Sequence, residues 1–341
     1  MNSLAQTAVV ILNYNGKHWL EKFLPSVIAH SAEAQIIVAD NASTDNSVDF
    51  LRLSFPQVKL ICFEQNLGFC KGYNEALKQI EAKYFVLLNS DIEVSSNWLL
   101  PLIDFLEKNS EVIVVQPKIK SFYQKTYFEY AGASGGFLDK WGYAFCRGRI
   151  FDTCEKDEGQ YNEPCEIFWA TGACMVVRAE WWHKLGGFDE NLFAHFEEID
   201  FCWRVQRTGG KVFCVAESEV FHVGGGTLNA SNPRKTFLNY RNNLIVLAKN
   251  LPFPQCFYKV FIRLFLDGLS AMLFLKKGEW KHIWAIIKAH WAFYAYLLFA
   301  KKQKQKLPQK VTLPKISIVW AYFVKGRKTF QEIFSATSLA K

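Results

Sequence analysis

Along the first 116 residues, short uninterrupted apolar runs alternate with amphipathic stretches. Residues 8–13 predict a strand and residues 19–30 a helix; Gln35–Asp40 predicts a strand and 44–53 a helix. The pairing repeats with a strand over 58–63 and a helix over 70–80, then a strand over Tyr84–Leu88 and a helix over 98–107. A fifth strand is expected at 112–116. Apolar runs of this length suit strands covered on both faces, and their alternation with helices builds crossover units. The expected fold class is therefore α/β with a mostly parallel central sheet. Between 118 and 164 the pattern loosens into hairpins and loops, then regularity returns at 167–177, with helices near 180–185 and 199–208.

Ligands of such sheets bind beyond the carboxyl ends of the strands. Four polar turns fall there: Asn13-Tyr14-Asn15-Gly16, Asp40-Asn41, Asn66-Leu67-Gly68 and Asn89-Ser90-Asp91. Asp40 can accept hydrogen bonds from a base or ribose, although a plain turn with Ser43 or Thr44 as helix cap accounts for it equally well. Asp91 follows the apolar strand Tyr84–Leu88 and is a candidate ligand for a hard divalent cation, which neutralises a diphosphate; an Asx turn is the alternative. In His195-Phe196-Glu197-Glu198-Ile199-Asp200, three carboxylates open a helix among aromatic neighbours. Such acids complement a helix dipole, but the aromatic setting favours chemistry, with Glu198 as a general base and Glu197 as its rival. His222, before a Gly-rich turn, is a candidate second metal ligand. No G-x-x-x-x-G-K-[ST] and no G-x-G-x-x-G after a strand occurs, which removes the main support for P-loop and dinucleotide chemistry.

In order, these segments resemble the inverting glycosyltransferases of the family 2 type, which have the GT-A nucleotide-diphosphosugar fold. Their rhamnosyltransferase-like branch, which builds bacterial surface polysaccharides, is the nearest in pattern. The matching pieces run from Val9-Val10-Ile11-Leu12-Asn13-Tyr14-Asn15 through Val38-Ala39-Asp40-Asn41-Ala42-Ser43-Thr44-Asp45, Asn66-Leu67-Gly68-Phe69 and Leu87-Leu88-Asn89-Ser90-Asp91. They continue with Thr171-Gly172-Ala173-Cys174-Met175, Gly187-Phe188-Asp189-Glu190, Glu197-Glu198-Ile199-Asp200, His222-Val223-Gly224-Gly225 and Arg241-Asn242-Asn243. The resemblance implies that Asp40 binds a uracil or thymine ring, with Asn13 and Tyr14 lining the base pocket. It implies that Asp91, helped by His222, holds Mn²⁺ or Mg²⁺ on the donor diphosphate. Glu198 would activate the acceptor hydroxyl for a single inverting displacement. Asn66, Lys71 and Asn89 would line the donor site, and Trp169, His195 and Phe196 would meet the acceptor. Two positions depart from the family pattern: Asn89 stands where a first metal-motif Asp is usual, and Glu198 where the base is usually Asp. A sugar nucleotidyltransferase on a similar sheet is the competing enzyme class, but Asn13-Tyr14-Asn15-Gly16-Lys17 is a poor version of its Gly-rich basic loop. A non-catalytic membrane adaptor is the third reading.

Charge divides the chain of 341 residues. From Lys249 onward, 17 Lys and Arg face three acids, a balance of +14, which leaves −6 for the rest of a chain whose total is +8. Pro252 and Pro254 mark the boundary, so a catalytic domain is expected over 1–250 and a basic, aromatic helical extension over 251–341. Within 256–275, Lys259, Arg263 and Asp267 recur every four residues as one stripe on an otherwise apolar helix. Residues 282–300 could barely span a bilayer, and Lys288, His282 and His290 make spanning costly. Trp280, Trp284, Trp291, Tyr294, Tyr296 and the basic run 301–306 instead suit helices lying on an anionic membrane face; a helical cap on the catalytic domain is the alternative. The expected partners are a nucleotide-diphosphosugar, a saccharide acceptor on a lipid and that membrane surface, not nucleic acid. The nine cysteines contain no C-x-x-C and sit in apolar runs, so reduced buried thiols are expected. The first residues lack a basic, apolar leader, so no signal peptide and a place on the cytoplasmic face are expected.

Overall fold

The computed structural model describes residues 3–224, 232–299, 307–308 and 310–334. The basic run 301–306 and Gly225 lie outside the described residues. Strand β1 (Thr7–Asn13) is the axis of the N-terminal half, parallel to β2 (Gln35–Asp40) on one side and β4 (Tyr84–Leu88) on the other. Strand β3 (Lys59–Cys62) extends the parallel set from β2. Helices α1 (Lys17–His30), α2 (Ser47–Ser54) and α3 (Gly68–Leu77) make the crossovers. The apolar runs are buried on both faces: Val9, Ile11 and Val38 pack with Leu20 and Leu24 of α1, whereas Val10, Ile37 and Ala39 pack with Tyr73 and Ala76 of α3.

Beyond β4 the sheet ceases to be parallel. A short β5 (Ile92–Val94) and α4 (Leu100–Lys108) lead to β6 (Val112–Ser121), which does not lie beside β4. Strand β12 (Cys174–Arg178) runs antiparallel between them, and β13 (Lys211–His222) runs parallel to β6 on its far side. Strand β11 (Cys165–Glu166) and β5 both pair antiparallel with β13. The expected mostly parallel sheet is thus a mixed nine-stranded one. Parallel order lasts only while each strand returns through a helix; β12 follows β6 through the hairpin region and re-enters from the opposite end.

That region folds as a second, four-stranded antiparallel sheet of β7 (Gly136–Leu138), β8 (Ala144–Cys146), β9 (Arg149–Ile150) and β10 (Thr153–Cys154). Helices α5 (Ala179–Leu185) and α6 (Glu197–Arg207) then precede β13. All nine cysteines are free, and Cys70, Cys146, Cys174, Cys202 and Cys214 are buried.

The C-terminal helices pack on this body. Helix α7 (Pro233–Asn250), capped by the Asn232 side chain, lies along α9 (Trp280–Phe299), and Phe293 and Tyr296 of α9 join the main core. Tyr296 is therefore buried rather than at an outer surface. In α8 (Gln255–Lys276) the charged stripe faces inward. Lys259 bonds the Lys140 carbonyl, Arg263 Nη1 donates to Asn243 Oδ1 at 2.5 Å, and Asp267 pairs with Arg263 at 3.3 Å and His290 at 3.2 Å. Phe257, Phe261, Phe265 and Met272 are left on the outside of α8, each more than half exposed. Trp280, Trp284 and Trp291 of α9 are exposed likewise. The final helix α10 (Phe330–Phe334) packs its rings on Phe137 and Phe145. Among the described residues no helix is long and apolar enough to cross a membrane.

Candidate active site

The carboxyl ends of β1 and β2 are adjacent because Asn13 pairs in register with Asp40. Asn13 Nδ2 donates to Asp40 Oδ2 at 2.9 Å, and the Ser43 N–H donates to Asp40 Oδ1 at 2.8 Å. Asp40 is nearly fully buried, so its carboxylate is held in one orientation; the buried Asn13 Oδ1 has no protein partner. Tyr14 beside them is half exposed. Asn41 braces the next turn, accepting from the Leu67 N–H at 2.8 Å and donating to Asn66 Oδ1 at 3.1 Å. Lys71 stands exposed on α3.

The turn after β4 carries Asn89, whose N–H donates to the Ala173 carbonyl, and then Asp91, which is buried. Register places His222 beside it: His222 of β13 pairs with Ile92 of β5, and the Val223 N–H donates to the Asp91 carbonyl at 3.1 Å. His222 Nε2 lies 3.3 Å from Asp91 Oδ1, and Nδ1 lies 3.2 Å from Glu129 Oε2. Burial alone would lower the imidazole pKa, but the Asp91 and Glu129 carboxylates outweigh it and push it up to about 10. Two donors on one small cation at about 2.1 Å stand roughly 3 Å apart, so Asp91 and His222 fit adjacent positions on a divalent ion. Among the described residues no group of three or more His, Cys, Asp or Glu could hold an ion unaided, so such an ion would take its other ligands from diphosphate and water.

The third cluster is the loop before α6. Phe193, His195 and Phe196 all have left-handed backbone angles, with φ of 67°, 69° and 72°. For residues with side chains this costs on the order of 1–3 kcal/mol each and persists only where the surroundings hold it. Asn242 of α7 supplies the hold: its Nδ2 lies within 2.9 Å of the carbonyls of Leu192, Ala194 and His195. Arg241 adds bonds to the Asn191 and Leu192 carbonyls. The loop reaches α3, where the Cys70 N–H donates to the Phe193 carbonyl. Gly68 is required there, since a Cβ would meet the Phe193 ring at 2.5 Å.

Within this loop His195 Nε2, Glu197 Oε2 and Glu198 Oε2 are buried polar atoms without a protein partner. Three such atoms in four residues ask for a ligand, because each costs about 1–3 kcal/mol if nothing meets it. Burial lowers the His195 pKa to about 4, with help from the Lys235 charge, so the imidazole is neutral. Burial raises Glu198 to about 7. Glu197 lies well above the usual carboxylate range, through burial and then the neighbouring Glu198 charge. A side chain added at Gly172 would come within 3.6 Å of Glu197 Oε1 and of Phe69, so Glu197 lies against the Gly172 backbone.

Helix α6 is fixed from behind by a buried ionic cluster. Asp200 accepts from Arg204 Nε at 2.8 Å, from Lys249 Nζ at 2.8 Å and from Asn250 Nδ2 at 2.9 Å, while Lys249 also reaches Asp189 at 2.6 Å. Burial would raise the Asp200 pKa, but Arg204 and Lys249 bring it down to about 2.

The donor-side and base residues thus gather into adjoining clusters, but Trp169 does not join them. Its ring is in the core at 4% exposure and its Nε1 donates to the Phe137 carbonyl at 3.0 Å, so it supports the fold rather than meeting an acceptor. Glu129 and the Asn242 clamp had no role assigned from sequence. Their only local signals are a lone acid between Phe128 and Tyr130 and the Arg241-Asn242-Asn243 run.

The chain is 24% identical over 256 residues to the N-acetylglucosaminyl-diphospho-decaprenol L-rhamnosyltransferase of Mycobacterium tuberculosis, covering 70% of this chain and 83% of that protein. It is 23% identical over 223 residues to the rhamnosyltransferase WbbL of Escherichia coli, covering 63% of this chain and 82% of that one. Among solved structures, GalNAc-T7 with UDP, GalNAc and Mn²⁺ superposes with a TM-score of 0.53 at 20% identity, over 64% of this chain and 43% of that one. The mannosyltransferase PcManGT from Pyrobaculum calidifontis, with GDP-Man and Mn²⁺, gives 0.51 at 14% identity, over 87% and 76%. These likenesses establish a GT-A-like fold. The Glycosyl transferase family 2 model matches residues 8–186, just over half of the chain, so the protein belongs to glycosyl transferase family 2 and is rhamnosyltransferase-like.

Proposed function

We propose that the protein transfers rhamnose or another hexose from a dTDP- or UDP-sugar to a saccharide acceptor carried on a lipid, with inversion, in surface polysaccharide assembly. The observation that carries this is the row of unpartnered buried atoms on His195, Glu197 and Glu198, together with a Glu198 carboxyl raised to about 7. Similarity to two rhamnosyltransferases, one of them an N-acetylglucosaminyl-diphospho-decaprenol L-rhamnosyltransferase, supports the acceptor class.

Asp40 and the free Asn13 Oδ1 are acceptors, matched to the ring N–H of uracil or thymine. Asp91 Oδ1 and His222 Nε2 would hold Mn²⁺ or Mg²⁺, which when bound neutralises the leaving diphosphate. Asn89 leaves this site one carboxylate short of a two-acid motif, and Asn66 and Lys71 would line the donor site. Glu198 takes the proton of the acceptor hydroxyl as its oxygen attacks the anomeric carbon. The bond from that carbon to the diphosphate breaks on the opposite face, so a single displacement inverts the centre. A base whose pKa lies near neutrality is ionised often enough to act and basic enough to accept. His195, neutral and unpartnered, and Phe196 would orient the acceptor sugar.

The same proposal puts the protein at the cytoplasmic face of an anionic membrane, and the outward surface of α8 and α9 supports contact with a membrane. A helix that turns Lys259, Arg263 and Asp267 inward and Phe257, Phe261 and Phe265 outward suits an apolar exterior. The division into a catalytic part and a helical extension belongs to the same proposal, with the extension docked on the catalytic part. The test is a donor screen with Mn²⁺ or Mg²⁺, read as nucleoside diphosphate release in the presence of lipid-linked saccharide. Asp91→Ala and Glu198→Gln are expected to abolish release while the protein still melts cooperatively. Full release by both variants would overturn the proposal.

A further inference from the structure

We infer that Glu129 is a positioning residue for the metal site: it fixes the ring rotation and tautomer of His222 so that Nε2 is turned toward Asp91. The inference rests on the metal reading above. Glu129 lies far from either candidate ligand in sequence, yet backbone pairing delivers it. Its N–H donates to the Ile119 carbonyl at 3.0 Å, beside β6, which carries β13 and hence His222. Its carboxylate is buried, at 7% exposure, and Oε2 is anchored by the Ala131 N–H at 2.5 Å. From that anchored position Oε2 stands 3.2 Å from His222 Nδ1, within ion-pair reach but not aligned for a hydrogen bond in this geometry. The opposite ring nitrogen is then the one 3.3 Å from Asp91 Oδ1.

An imidazole ligates through one nitrogen only when the other carries its proton, and a carboxylate at the second nitrogen selects that tautomer and raises ligand basicity. Glu129 stands on the side of the ring away from Asp91, so it orients the ligand and is not itself a third one. Gly224 guards the arrangement from the far side. Its φ is +75°, and a Cβ there would meet Glu129 Oε1 at 2.6 Å, so the chain beyond His222 is shaped to leave room for this carboxylate.

Mn²⁺ binding by the full chain in the presence of UDP, followed by electron paramagnetic resonance, tests the inference without turnover. Wild type, Glu129→Gln, Glu129→Ala and His222→Ala are compared, with melting temperatures measured in the absence of metal. Second-partner losses of this kind weaken metal binding about 10–100-fold. Glu129→Ala is expected within that range, and Glu129→Gln, which keeps an acceptor but loses the charge, at threefold or more. Nitrogen NMR of labelled histidine with Mg²⁺ and UDP should show the Nδ1–H form at His222 in wild type and a mixed signal in the variants. If Glu129→Gln binds Mn²⁺ less than threefold more weakly than wild type with an unchanged imidazole signal, the inference is overturned, whether or not Glu129→Ala folds. If wild type binds no Mn²⁺ with UDP, the metal reading itself fails and this inference falls with it. Wild-type binding that is lost in His222→Ala but kept in both Glu129 variants removes Glu129 alone.

Discussion

Burial raises the Glu198 carboxyl to about 7, whereas an unfolded chain holds a Glu near about 4.3, so between those values the folded state binds the proton more tightly. The sign follows: the native state loses stability from this group as pH rises through that window. Glu198→Gln should therefore raise the melting temperature near neutral pH while abolishing transfer, and calorimetry beside a release assay checks both. In wild type the acid limb of kcat should rise through about pH 7 as Glu198 ionises. Asp200 has the opposite sign. Arg204 and Lys249 overcome its burial and depress it to about 2, so its contribution is present above about pH 4 and lost as pH falls toward 2. Asp200→Ala leaves the buried Arg204 guanidinium without its carboxylate, while Lys249 keeps Asp189, and should cost about 3–5 kcal/mol in chemical denaturation. Residue by residue, the places of Asn13, Asp40 and Asp91 at one sheet edge were legible because each ends or closely follows an apolar run. Trp169 was not, since an isolated aromatic carries no local mark of which way it faces.

At the scale of elements, the strained loop before α6 and the clamp on α7 form one unit. Asn242→Ala removes the groups that hold three carbonyls and should release Phe193, His195 and Phe196 from left-handed geometry. The expected result is a rise of about tenfold or more in acceptor KM, with donor KM little changed, and faster proteolysis near residue 194; unchanged acceptor kinetics would count against the clamp. The first four strands and their crossover helices were readable because each is a self-contained periodic run. Strand β5 was not, because three residues carry no period and its place is set by pairing with β13. Helix α7 was hidden for a different reason. Its inward face mixes Leu238, Leu244 and Leu247 with Asn242, Asn243 and Asn250, whose amide groups donate to distant carbonyls and a carboxylate, so the apolar stripe is interrupted.

Across the whole molecule, the C-terminal helices close one side of the catalytic body while presenting aromatic rings to the outside. Deleting everything after Pro254 would strip Phe293 and Tyr296 from the main core, so loss of liposome binding by such a truncation would not isolate the surface. Substituting exposed rings is cleaner. Phe257→Ser, Phe261→Ser and Trp284→Gln together should abolish sedimentation with anionic liposomes and leave the melting temperature within a few degrees. Equal sedimentation of this variant and wild type would remove the membrane from the proposal. The basic and aromatic composition of the tail was visible in the sequence. Its docking was not, because Arg263 and Asp267 look like a solvated stripe until Asn243 and His290 are seen to meet them.

Helix α8 also carries a lesson for hydropathy averages. A sliding window counts Lys259, Arg263 and Asp267 against lipid affinity, yet neither water nor lipid touches the last two. The medium outside samples only the outward rows, which are far greasier than the helix as a whole. Neutralising Arg263 and Asp267 would make the sequence look more membrane-like while leaving what a bilayer meets unchanged.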